Sequence, residues 1–185
     1  MRRLGVGQDS SRAEGQGTVN ISEPPELKPF LEKFRKDHPE RSDCVFLMMR
    51  FGSTAPHENI VRAVKNGLAQ LGKRGIRADD RNYAPQIWPN IQTYLHGCGS
   101  GLAIFDRIEA DEINPNVSLE CGYMLGLGKP LCLLKDKTLK VLQTDLTGHI
   151  YRSFDPHNAE STILTCLKQW FRDEGWQVPD AHPSD

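Results

Sequence analysis

The sequence predicts an α/β fold: a mainly parallel, five-stranded sheet, doubly wound, with helices on both faces. Three observations carry this expectation. Short apolar runs alternate along the chain with segments of helical periodicity. The stretches between successive runs are long enough for parallel crossovers. The runs themselves are continuously apolar, as strands buried on both faces are. With 185 residues the chain holds one domain with a single core.

The first 25 residues are rich in Gly, Ser, Gln and charge. They have too little apolar content to offset the entropy of ordering, so 1–25 is expected to be a flexible arm. Residues 26–176 form the single α/β domain, in which 26–40 supply a flanking helix, and 177–185 form a flexible tail that frays from Gly175. Within 25–37, Leu27, Phe30, Leu31 and Phe34 recur at helical spacing with Lys28, Glu32, Lys33 and Lys36 between them. The run 44–49 is a first strand, ended by Arg50, Phe51, Gly52, Ser53 and Thr54. A crossover helix over 57–71 puts Ile60, Val61, Val64, Leu68 and Leu71 on one stripe. A short second strand spans 76–79, a helix 85–96, and a third strand 101–105 that ends in Asp106. After the helix at 115–127, strands follow at 131–134 and 149–152, separated by a loop with Asp145 and Gly148, and a last helix spans 159–174.

Composition excludes several roles. Twenty-three basic against 24 acidic residues leave a formal charge of -1, which offers no field for bulk binding of nucleic acid or an anionic membrane. No apolar run approaches the roughly 20 residues of a membrane span, and Met1-Arg2-Arg3 leads into a polar segment. A cytoplasmic location, with neither membrane nor nucleic acid as partner, is therefore expected. The five cysteines are an odd number without a CxxC pair, which predicts buried free thiols. The six histidines show no metal-ligand spacing, so no metal and no cofactor is expected. A GxSxG elbow is also missing.

The stretch 114–130 is the most informative. Asn114 suits an N-cap, Pro115 a first helical position, and Gly128 with Pro130 a stop. Glu120 then lies on the second turn, where the helix dipole still slightly favours a carboxylate. Asn116 and Tyr123 share its face, so an amide, an acid and a phenol line one strip. No Lys or Arg stands four residues away to pair with Glu120, and Val117 rules out a capping box. An acid that merely caps or pairs remains the alternative reading. Residues 50–54 offer backbone N–H groups, two hydroxyls and the Arg50 guanidinium to a phosphate, with Gly52 permitting close approach. They fit neither GxGxxG nor GxxxxGK[ST], and an ordinary strand-to-helix connection accounts for them equally. Asp79 and Asp106 end strands, where carboxylates can hold ribose hydroxyls, though solvated turns explain them as well.

Taken together, the strand and loop 45–52, the strand ending in Asp106, and the Asn114-Pro115-Asn116-Val117 to Glu120-Cys121-Gly122-Tyr123 block resemble the nucleoside 2-deoxyribosyltransferases and the related bacterial TIR-like nucleotide-binding domains. The resemblance covers roughly 44–155. It implies a flavodoxin-like sheet and, as substrate, a nucleotide, nucleoside or NAD-like small molecule attacked at its N-glycosidic bond. Carried over by position, the nucleophile is Glu120. Arg50, Phe51, Gly52, Ser53, Asp79, Asp106, Asn114, Asn116 and Tyr123 are the expected substrate-binding residues. The resemblance further implies roles as anti-phage effectors and activation by a cyclic nucleotide or by homo-oligomerisation. The sequence departs from the family pattern at Leu119, Cys121 and Arg50. Three readings follow: an N-glycosidase or glycosyltransferase, a nucleotide-binding regulatory module without turnover, and a self-associating interaction module.

Overall fold

Alternation of side chains along the strands decides the architecture. In a computed structural model, described here for residues 23–108, 112–139 and 151–179, strands β1 (Cys44–Met48), β2 (Arg74–Ile76), β3 (Ser100–Phe105), β4 (Leu131–Asp136) and β5 (Tyr151–Phe154) form one sheet in the order β2-β1-β3-β4-β5. Every pairing is parallel. This is the doubly wound, flavodoxin-like order. Cys44, Phe46, Met48, Ala103, Phe105 and Leu133 face one side, and Val45, Leu47, Leu102, Ile104, Cys132 and Leu134 the other. A period of two therefore sends the central strands β1, β3 and β4 into two separate cores.

The helices divide between these cores. On the first side, α1 (Lys28–Asp37) packs on α3 (Ile87–Gly97), and α3 lies beside α4 (Pro115–Gly126). On the other, α2 (Ala55–Gln70) packs along α5 (Ala159–Asp173). The crossover after β1 therefore covers one face and those after β2 and β3 cover the opposite face. The winding reverses between β1 and β3, the place where ligands of such sheets bind.

Three boundaries differ from expectation for physical reasons. The second strand, expected at 76–79, is Arg74–Ile76. Beyond it the Asp80 carboxylate accepts the Arg77 N–H at 2.8 Å and the Asp80 N–H returns to the Arg77 carbonyl at 3.1 Å, closing a turn. The fifth strand, expected at 149–152, contains Tyr151 and Arg152 and runs on to Phe154, with residues 149–150 outside the described residues. Its core residue is Phe154, opposite Asp136 of β4. The tail expected to fray from Gly175 instead stays packed through Val178. Gly175 takes a φ of 72°, the Trp176 N–H donates to the Phe171 carbonyl at 2.8 Å, and the Trp176 ring lies 5.1 Å from that of Trp170. This is a left-handed helix stop with its accompanying apolar contact. Glu23, within the expected arm, pairs with Arg35 and Arg41. Residues 1–22 of that arm, the loop carrying Asp145 and Gly148, and residues 180–185 lie outside the described residues.

Gly97 sets how closely α1 approaches α3. A Cβ there would sit 2.6 Å from Cε1 of Phe34, a fully buried ring wedged against Tyr94 and Tyr83. The ring has no free space into which to retreat. Gly97→Ala should therefore destabilise the fold by about 1–3 kcal/mol through overpacking, measured as a lower midpoint of chemical denaturation with an unchanged slope.

Candidate functional site

The helix α4 begins as its sequence dictates. Asn114 Oδ1 accepts the Asn116 N–H at 2.9 Å, Pro115 occupies the first position, and Gly128 closes the C-terminal end with a φ of 64°. Val117, Cys121 and Met124 anchor it on the sheet. Gly101 of β3 leaves room for this, since a Cβ there would meet Met124 Cε at 2.9 Å. The residue between these anchors is Glu120.

Glu120 is 7% exposed. Among the described residues its carboxylate has neither a hydrogen-bond nor an ion-pair partner, and burial alone pushes its pKa from the ordinary 4.5 up to about 7. The expected strip of amide, acid and phenol forms only in part. Asn116 is exposed, whereas Tyr123 is half-buried and turned toward α3. The Tyr123 oxygen accepts from Gln92 Nε2 at 3.3 Å and lies 2.9 Å from His96 Nε2, and its ring meets Trp88 edge-on at 5.8 Å. Burial, helped by the Lys129 ammonium, lowers the His96 pKa, so a neutral imidazole is set to accept the phenol O–H. The sequence reading gave Trp88, Gln92 and His96 no part in a site. Their spacing of four along one helix is the signal that marks them as a stripe facing α4.

Lys129 fixes the far end of this seam. Its Nζ donates to the carbonyls of Leu95, His96 and Cys98 at 2.7, 2.8 and 2.6 Å. The terminal carbonyls of α3 are thereby satisfied by the turn that leaves α4. Burial draws the Lys129 pKa down to about 8, while the three carbonyls favour the ammonium.

The expected substrate-binding residues fall into two groups. Several are engaged by their own surroundings. Arg50 Nη2 donates to the Glu112 carbonyl at 3.1 Å, and the Arg50 carbonyl lies 2.6 Å from Nε2 of the fully buried His57. Asp106 is buried and its Oδ1 accepts the Ile108 N–H at 3.1 Å, so it closes a turn. Asn114 is occupied as the N-cap of α4. Phe51 and Asp79, in contrast, meet in a cleft of about 310 Å³ at the carboxyl edge of β1 and β2, before α3. Gly52 and Ser53 continue the loop beyond Phe51 without lining that cleft.

Ala78, Ala84, Ile87 and Ile91 give the cleft apolar walls, and Asn82, Gln86 and Asn90 bring amides. Asn90 is buried and structural: its Oδ1 accepts the Tyr83 N–H at 2.7 Å and its Nδ2 donates to the Ala78 carbonyl at 2.9 Å. Glu120 does not line the cleft, although Ile91 shares a core cluster with its neighbours Val117 and Cys121. A more open hollow of about 550 Å³, lined by Asn59, Arg107, Asp136, Thr138 and His157, contains none of the expected site residues. Among the described residues no group of His, Cys, Asp and Glu is arranged to hold a metal ion, all five cysteines are buried free thiols, and no helix is long and apolar enough to cross a membrane.

A buried, unpartnered acid makes stability depend on pH. Between 4.5 and about 7 the folded chain keeps a proton on Glu120 that the unfolded chain has released. Stability attributable to this group is therefore full below 4.5 and falls as pH rises through that window. Glu120→Gln should match the parent protein at low pH and exceed it by up to about 3 kcal/mol at mildly alkaline pH. Denaturation midpoints across the pH range check this.

Neither a protein-family model, nor a curated protein, nor a solved structure matches the chain.

Proposed function

We propose that the protein cleaves the N-glycosidic bond of a nucleoside, a nucleotide or NAD, with Glu120 as nucleophile. The observation that carries this reading is the buried Glu120 carboxylate without a partner, on the helix that follows the strand at the winding reversal. A group so costly to ionise is a functional candidate, because structural acids in cores are normally paired. The resemblance of the 114–130 stretch to deoxyribosyltransferase-like and TIR-like domains supports the same residue.

In this reaction a Glu120 oxygen bonds to C1′ as the C1′–N bond breaks, and the bonding pair leaves on the base; a purine or pyrimidine base then takes a proton from solvent, whereas nicotinamide, cationic in NAD, leaves neutral and takes none. Water then attacks C1′ of the glycosyl ester. The sugar departs, the carboxylate returns, and the proton of water passes to solvent. Tyr123, held by His96 and Gln92, lies one helical turn along the same side of α4. Its part is to orient the sugar.

A nucleotide-binding module without turnover is the second reading, favoured by the absence of Glu120 from the cleft walls. Base release from a panel of NAD, nucleosides and nucleoside monophosphates separates the two. The first reading expects free base and a loss of at least about 10³-fold in Glu120→Gln with ligand binding kept. Binding without base release from any member favours the second. The ionised carboxylate is the attacking form, so kcat/KM should rise with pH and level off above about 7.

A further inference from the structure

We propose that the outward face of α4 docks a second copy of the chain, in a two-fold dimer whose α4 helices lie antiparallel against each other. Association through this face does not depend on which bond Glu120 attacks.

Charge is distributed unevenly among the helices. A quarter of the chain's residues are charged, yet α3 has no Asp, Glu, Lys or Arg and α4 has only Glu120, which is buried. The other helices expose charge to water: Lys33 and Lys36 on α1, Glu58 and Arg62 on α2, Glu160 and Arg172 on α5. An outward helix face from which charge is missing has the composition of an interface centre. Such a face meets its own copy without like-charge repulsion, whereas an acidic or basic partner would find no counter-charge on it.

Apolar exposure and shape point to the same face. Leu119 is 58% exposed, and Trp88, edge-on to Tyr123, carries the apolar surface from α4 across to Ile87 of α3. Pro115, Leu119, Gly122 and Gly126 are all exposed and form one stripe along α4. Among the described residues, a Cβ at Gly122 or Gly126 would meet no neighbouring atom within 4 Å. The first half of the stripe is therefore a ridge and the second half a hollow. Two antiparallel copies, with the two-fold axis level with the Glu120–Cys121 peptide, set each Leu119 over the partner's Gly122 and each Pro115 over the partner's Gly126. Ridge meets hollow twice, and the helix dipoles oppose favourably. This self-complementary order selects a second copy over an unrelated helix.

The test is sedimentation equilibrium of the whole chain across a range of concentrations. The parent protein should pass reversibly from monomer to dimer and go no further, because a two-fold contact closes on itself. Leu119→Lys should raise the dissociation constant at least about 100-fold, since each substitution enters the dimer twice. Gly122→Leu fills the hollow and should dissociate the dimer likewise. Both positions face water in the single chain, so neither variant should unfold it. Gly122→Leu should even raise the thermal midpoint of the dilute monomer, because leucine is the better helix former. The exchange variant Leu119→Gly/Gly122→Leu swaps ridge for hollow and should bring the dimer back.

A chain that stays monomeric up to its solubility limit would overturn the proposal and leave the face to a different partner. An assembly larger than a dimer would overturn it too, as would a dimer equally tight in the parent, Leu119→Lys and Gly122→Leu. An exchange variant that folds but remains monomeric would remove the antiparallel pairing.

Discussion

A sheet whose strands are all parallel must be covered on both faces, and the rest of this structure depends on that constraint. The central strands β1, β3 and β4 give alternate side chains to two cores, so little of their faces is left for polar chemistry. Polar side chains are pushed to the loops at the strand ends and to the helix faces that turn away from the sheet. Glu120 breaks this pattern: it is an acid on a helix that packs on the sheet, one residue before Cys121, which is fully buried. The packing that stabilises the sheet is the same packing that desolvates the acid.

The seam between α3 and α4 makes this arrangement rigid. At one end Lys129 ties three carbonyls of the α3 terminus to the turn after α4. In the middle His96 and Gln92 hold the Tyr123 oxygen. Two glycines set the spacing, Gly101 letting α4 settle on the sheet and Gly97 letting α1 close over α3. A shift of either helix would break charge-assisted bonds at one end and buried contacts at the other, so the position of Glu120 is fixed by several independent interactions.

Much of this was legible in the sequence because it is written in local periodicity. Continuous apolar runs announced the strands, Asn114-Pro115 and Gly128 marked α4, and a single acid on its second turn singled out Glu120. What was hidden depends on pairing and on distance. The second strand lies earlier than its sequence suggested because its register against β1 starts at Arg74, and Asp80 folds the chain away after Arg77. Asp106 looked like a ribose holder, and Asn114, besides its place as N-cap, like a substrate-binding residue, yet each satisfies a backbone N–H near itself in the chain, the competing use that short polar side chains have at element ends. The stripe of Trp88, Gln92 and His96 carried a periodic signal, but only a neighbouring helix gives that stripe a meaning.

The electrostatics of Glu120 come down to which of two opposed effects is larger. The positive end of the α4 dipole favours the carboxylate by about 0.3–1 kcal/mol, and less beyond the first turn. Burial favours the neutral acid and carries the pKa from 4.5 to about 7, a preference of roughly 3 kcal/mol. Burial wins because no hydrogen bond among the described residues compensates it. The acid is consequently poised near half-ionisation at neutral pH. A ligand that develops positive charge beside it would supply the missing counter-charge and draw the group toward its ionised form. A positively charged sugar carbon beside Glu120 would therefore be stabilised by the charge it creates, whereas a neutral ground-state sugar would gain far less from it. That difference between transition state and ground state is the form of binding that accelerates a reaction.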